Sequence, residues 1–233
     1  MRAFADWNCK LLPMMHDLIA NPSDAAQALS ALKKLGISRF CMMPEFDCQQ
    51  ESLSLFLLNR DRALREIHKQ MPENAFITSA ATLLLTEGCH EVQGLRKLCI
   101  PQTNYLPIKL PLSLDVNWLA HEFNQFLYHL PFRLLLMNFD TYSLFYPSEV
   151  LDRLLNLPNV AYQFNYRALA DPNMRIQLKR LLMRHAPILF GTSVNSVMKA
   201  YYYEFSHYIG VAKQHFTEFE CDDLFFRKKI YQK

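Results

Sequence analysis

The sequence predicts an α/β fold carried on a parallel sheet, and three observations point to it. Apolar runs of strand length alternate along the chain with segments whose apolar residues recur at helical spacing. At 233 residues the chain is long enough for one large domain with a real core. Several strand runs close in polar residues: Asp6 and Asn8, then Glu45, then Asn138 and Asp140, then Ser193 and Asn195. The C-terminal end of a strand is where an α/β barrel places its chemistry.

The elements follow in order. Phe4 to Cys9 reads as a short first strand. Asn21-Pro22-Ser23-Asp24 opens a helix, with Asn21 or Ser23 able to cap it. Its apolar face is Ala25, Ala28, Leu29, Leu32 and Leu35, and Gly36 stops it. Ile37 to Met43 is a buried strand halted by Pro44. Glu51 to Gln70 is a long helix with Leu53, Phe56, Leu57, Leu64 and Ile67 on its core side. Ala75 to Leu85 holds one or two short strands, and Tyr105 to Leu110 another, ended by Pro111. Asp115 to Leu130 is helical, Phe132 to Met137 a strand, Pro147 to Leu155 a helix and Val160 to Phe164 a strand. Asp171-Pro172 opens a helix to His185, with proline in its first turn. Pro187 to Phe190 is the last strand, Ser196 to Val211 a helix, and an aromatic-rich tail over 212–233 follows.

Composition narrows the function classes. A net charge of +3 with scattered lysines and arginines gives no basic stripe for nucleic acid. No apolar run approaches the roughly 20 residues of a membrane span, and the first residues lack an apolar signal region, so a cytoplasmic protein is expected. No Gly-rich loop follows a strand, which argues against both nucleotide fingerprints. The six cysteines show no C-x-x-C spacing; Cys9 and Cys41 are expected to be buried free thiols, and no cysteine-dependent phosphate loop is expected. The histidines other than His16 are read as surface or capping groups. The run Tyr201-Tyr202-Tyr203-Glu204-Phe205 is at helical spacing and reads as core or interface packing, with partner docking as the alternative.

The strand-end segments together resemble the polymerase-and-histidinol-phosphatase (PHP) superfamily, most nearly its capsule and exopolysaccharide protein-tyrosine-phosphatase branch. That branch opens with D-x-H-x-H-x-L-P; this chain has Asp6-Trp7-Asn8-Cys9-Lys10-Leu11-Leu12-Pro13. The D-D-G that follows is matched by His16-Asp17-Leu18, T-P-H by Met43-Pro44-Glu45, and G-x-E by Ala80-Ala81-Thr82. A-H-P-E-R-Y becomes Met137-Asn138-Phe139-Asp140-Thr141-Tyr142, Q-x-N survives as Gln163-Phe164-Asn165, and S-D-A-H becomes Thr192-Ser193-Val194-Asn195.

The resemblance implies a distorted TIM-like (β/α)7 barrel of the PHP type, one domain over 1–233 with 212–233 as its tail. It also places Asn8, Lys10, Glu45, Thr82, Asn138, Ser193 and Asn195 at positions that hold metal ligands in the family. Metal ions there polarise phosphate and generate hydroxide. Asparagine is a feeble transition-metal ligand and lysine repels a cation, so no multinuclear metal cluster is expected and no metal cofactor. An ion pair between Lys10 and Glu45 is expected in its place. His16, Asp17, Asp140, Gln163 and Asn165 are the further candidates to line a pocket. The leading expectation is a catalytically inactive homologue that binds a protein partner or a small anion, linked to capsule or exopolysaccharide biosynthesis, with a homo-oligomer possible. The alternative is a working manganese- or other metal-dependent phosphoesterase with an atypical site built from Glu45, His16, Asp17 and Asp140.

Overall fold

The computed structural model describes residues 3–15, 19, 21–71, 75–114 and 117–226. The chain alternates strands and helices. The strands are β1 (Phe4–Cys9), β2 (Ile37–Met42), β3 (Glu45–Phe46), β4 (Phe76–Ser79), β5 (Thr82–Leu84), β6 (Tyr105–Lys109), β7 (Arg133–Leu136), β8 (Val160–Asn165) and β9 (Ile188–Gly191). The helices are α1 (Pro22–Lys34), α2 (Leu53–His68), α3 (Leu119–Asn124), α4 (Phe139–Tyr142), α5 (Ser148–Leu155), α6 (Pro172–Met183), α7 (Val197–Tyr201), α8 (Phe205–His215) and α9 (Glu218–Phe225). No helix among the described residues is long and apolar enough to cross a membrane.

Local chemistry sets most boundaries. Asn21 caps α1, its side chain accepting from Asp24 N–H at 2.9 Å. Ala25, Ala28, Leu29 and Leu32 then bury one face, and Gly36 turns the chain out with φ +97°. Ser52 caps α2, which buries Phe56, Ala63 and Ile67. Asp171 caps α6 with Pro172 behind it.

All strand pairs are parallel. One sheet has the order β1-β2-β4 and the other β3-β5-β6-β7-β8-β9. Pro44 ends β2 as expected, but the chain resumes its pairing at once in β3, where Glu45 lies opposite Thr82. Backbone bonds also join the end of β1 to the segment that follows β9: Ser193 N–H donates to Asn8 O at 3.2 Å and Lys10 N–H to Val194 O at 3.1 Å.

Strands β6 to β9 are buried on both faces along nearly their whole length, as central parallel strands are. Leu134, Leu136, Tyr162, Phe164 and Phe190 join the large core shared with the helices. Cys41, Met43, Ala80, Ile100, Tyr105, Leu135, Met137, Ala161 and Leu189 form a separate apolar cluster, with Trp7 packed against it.

Two helical expectations change. The continuous helix over Ser196 to Val211 is broken into α7 and α8. The break lets Tyr203 donate its hydroxyl to Asn165 Oδ1 at 2.9 Å, while Phe205 is buried against Phe4 and Tyr166. These anchors outweigh local helix propensity. Tyr201 and Tyr202 are left exposed. The short α4, not expected from the sequence, is entered through Asn138 in the left-handed conformation at φ +54°. At the C-terminal end, α9 carries a Thr217–Glu220 capping box and lays Phe225 against Phe190 and Phe4.

Candidate functional site

The C-terminal ends of β1, β7, β8 and β9 converge on a network of side-chain amides and hydroxyls. Asn8 is fully buried, and its Nδ2 donates to Asn138 Oδ1 at 2.7 Å, Ser193 Oγ at 2.9 Å and Gln163 Oε1 at 3.3 Å. Gln163 Oε1 also accepts from Asn138 N–H at 2.9 Å, and Ser193 Oγ donates to Asn138 Oδ1 at 3.3 Å. Asn138 and Ser193 both carry φ +54°, which turns their side chains into this network. Asn8 Oδ1, Thr82 Oγ1 and Asn195 Oδ1 are buried without a hydrogen-bond partner.

Beneath the amides, buried Asp6 braces β1 to the end of β9. Its Oδ1 accepts from Asn8 N–H and Thr192 N–H, each at 2.9 Å, and its Oδ2 from the Thr192 hydroxyl. Burial pushes the Asp6 carboxyl above its ordinary value, against the lowering effect of these three bonds. The close approach needs Gly191: a Cβ there would lie 2.6 Å from Asn8 Cβ and 2.7 Å from Asn8 N.

Asp140 and Asn165 form a second brace. Asp140 Oδ1 accepts from Asn165 N–H at 3.0 Å, and Arg167 Nε lies 3.5 Å from its Oδ2. Burial raises the Asp140 carboxyl, with the Asn165 N–H and Arg167 opposing. Asn165 donates to Thr192 O at 2.8 Å and accepts from Arg167 N–H and the Tyr203 hydroxyl. Tyr142, from the same strand-end segment, accepts Leu110 N–H at 2.7 Å.

At or just beyond the C-terminal ends of β1, β2 and β6 sits a charged triad. Lys10 Nζ and Lys109 Nζ both donate to Glu45 Oε1, the second at 3.1 Å. Burial alone would raise the Glu45 carboxyl, but the two ammonium groups outweigh it and hold it below its ordinary value. The Lys10–Glu45 pair is the one the sequence led us to expect. Lys109 was missed: it ends an apolar strand before Pro111, and nothing in its spacing sets it apart from a surface lysine.

His16 and Asp17 lie outside the described residues. Of the remaining candidates, Asn8, Asn138, Gln163 and Ser193 share one network, Lys10 and Glu45 share the triad, and Asp140 and Asn165 pair with each other. Thr82 is opposite Glu45 in the sheet register.

Among the described residues, one group of at least three His, Cys, Asp or Glu side chains has ligand atoms close enough to share a metal ion. It is His90, His121 and Glu122, on the loop after β5 and on α3. The cysteines are free thiols, with Cys9 and Cys41 buried as expected. One expectation from the cysteines needs correcting: the C-x-x-x-x-x-R spacing does occur once, from Cys221 to Arg227. Cys221 lies inside α9 and not on a phosphate-cradling loop, and Arg227 is outside the described residues. A cavity of about 550 Å³ opens at the opposite, N-terminal ends of β6 to β9, lined by Tyr105, Arg133, Arg184 and His185. None of the strand-end candidates lines it.

This architecture, parallel strands with helices between them, is shared with a protein of solved structure. The chain superposes with a TM-score of 0.70 on a solved structure from the pair YwqE of Bacillus subtilis and CpsB of Streptococcus pneumoniae, described as unique metal-dependent tyrosine phosphatases. The match covers 93% of this chain and 90% of that one at 14% sequence identity, a level at which the likeness establishes the fold. No family model and no curated protein matches the sequence.

Proposed function

We propose that this chain is a catalytically inactive PHP-type homologue whose strand-end site binds a small anion, with a regulatory role in capsule or exopolysaccharide biosynthesis in the cytoplasm. In this reading residues 1–233 form one domain, and the two sheets are parts of one (β/α)7 barrel. β2 with β3 and β4 with β5 are then each one bent strand, and the bonds from Ser193 and Lys10 to the facing segment join β9 to β1.

The observation that carries the reading is the Lys10–Glu45–Lys109 triad. Two ammonium groups share one carboxylate, so the triad keeps a net positive charge where the family holds metal cations. The donors at the other ligand positions do not fit a metal cluster. Asn8 donates its NH₂ group to Asn138 Oδ1, Ser193 Oγ and Gln163 Oε1, so those three oxygens are engaged by a neutral donor, and its own neutral carbonyl is a feeble transition-metal ligand. Lys10 and Lys109 would repel a divalent ion. A phosphate or carboxylate, by contrast, finds ammonium donors held in place by Glu45.

The test is calorimetric titration of inorganic phosphate and of phosphotyrosine into the full chain. Binding should weaken by roughly tenfold or more in Lys109→Gln and in Lys10→Gln, as expected when one of two charged donors is removed. Binding of neither anion, or binding indifferent to both substitutions, would remove the basis for an anion site.

A further inference from the structure

Outside the strand ends, the loop after β5 is fastened to α3 through a buried carboxylate. Glu122 is 2% exposed. Its Oε1 accepts from Gly88 N–H at 2.7 Å, and its Oε2 accepts from His90 N–H at 3.2 Å and from the His90 ring at Nδ1, 2.8 Å away. Gly88 adopts φ +75°, which aims its N–H at the carboxylate. His121, the neighbour of Glu122 on α3, is exposed and meets the His90 ring edge-on, with centroids 5.5 Å apart. One ligand atom from each of His90, His121 and Glu122 lies within 4.8 Å of the others.

We propose that His90, His121 and Glu122 form a mononuclear site for a divalent transition-metal ion, separate in its residues from the strand-end network and the triad. The donor set is two imidazoles and one carboxylate, which suits zinc, cobalt, iron or manganese and not the hard, all-oxygen demand of calcium or magnesium. Tetrahedral zinc, with bonds of about 2.0–2.1 Å, holds its ligand atoms roughly 3.3 Å apart. Closing the spacing of up to 4.8 Å to that value requires the exposed His121 side chain to rotate toward His90 and Glu122. The metal takes the place of the hydrogen bond between His90 Nδ1 and Glu122 Oε2, whose 2.8 Å separation widens by about 0.5 Å to admit it.

The surroundings supply what a metal site needs beyond its ligands. The backbone N–H groups of Gly88 and His90 hold the carboxylate in orientation, as outer partners of metal-bound carboxylates do. Buried Cys89 adds a thiol donor to the same oxygen at 3.6 Å. Three protein ligands leave a fourth position open to water or to a ligand from solution, because His121 faces solvent.

The experiment is equilibrium dialysis and visible spectroscopy of the tag-free full chain with Co²⁺, followed by competition with Zn²⁺. One Co²⁺ per chain should bind, with d–d absorption and no thiolate charge-transfer band. His121→Ala, a substitution at an exposed position, should weaken binding by tenfold or more, and His90→Ala likewise. Glu45→Gln should leave it unchanged. Absence of binding overturns the proposal. So does binding that both histidine substitutions leave intact, binding through thiolate, or binding lost in Glu45→Gln.

Discussion

Replacing Glu45 by glutamine probes the triad without changing its shape. The Lys10, Glu45 and Lys109 side chains keep 17%, 26% and 30% of their surface. They therefore lie between two limits: exposed pairs are worth about 0–1 kcal/mol, and breaking a buried pair costs about 3–5 kcal/mol. A loss of about 2 kcal/mol is expected near neutral pH, since the two ammonium groups regain some water and the glutamine oxygen still accepts from one of them. For a chain of this size that is a fall of roughly 4–8 °C in Tm. The pH dependence separates charge from packing. Glu45 is held below its ordinary value of 4.5. Its contribution is therefore fully present above that value and disappears as the pH falls through the lower, folded-state value. Urea unfolding of parent and variant, followed from about pH 7 down to about pH 3, should show a gap that narrows with acidity. Equal stability near neutral pH, or a gap of constant size across the range, would refute the electrostatic origin of the effect.

Gly191→Ala should cost about 1–3 kcal/mol or more in urea unfolding, because its Cβ would meet Asn8 backbone at 2.7 Å, which cannot rotate away. Gly210→Ala is the control: nothing lies within 4 Å of its Cβ inside α8, and a gain of up to about 1 kcal/mol is expected. Asn8→Asp turns a donor facing three oxygens into a fourth acceptor and should destabilise by about 2 kcal/mol or more, measured the same way.

Strand and helix order was legible because each element carries its own local signal: the Asn21 cap, the Gly36 stop, the apolar run before Met137. The candidate site was legible only in part. Asn8, Asn138, Gln163 and Ser193 come from four distant segments, and resemblance to a family motif put them at strand ends, but their mutual hydrogen bonds depend on the positive φ of Asn138 and Ser193. Lys109 and the His90–Glu122 contact left no pattern, since each draws its meaning from a partner more than 30 residues away. The break between α7 and α8 was hidden for the same reason: the Tyr203 hydroxyl bonds to Asn165, 38 residues away.

Hydrolysis of an aryl phosphate by the purified full chain with added Mn²⁺ tests most directly the proposal that the lysine–glutamate triad stands in for metal. The expected rate is that of the Mn²⁺ buffer alone, for the parent and for Glu45→Gln. Saturable turnover by the parent that Glu45→Gln abolishes would contradict it and make this a working metal-dependent phosphoesterase.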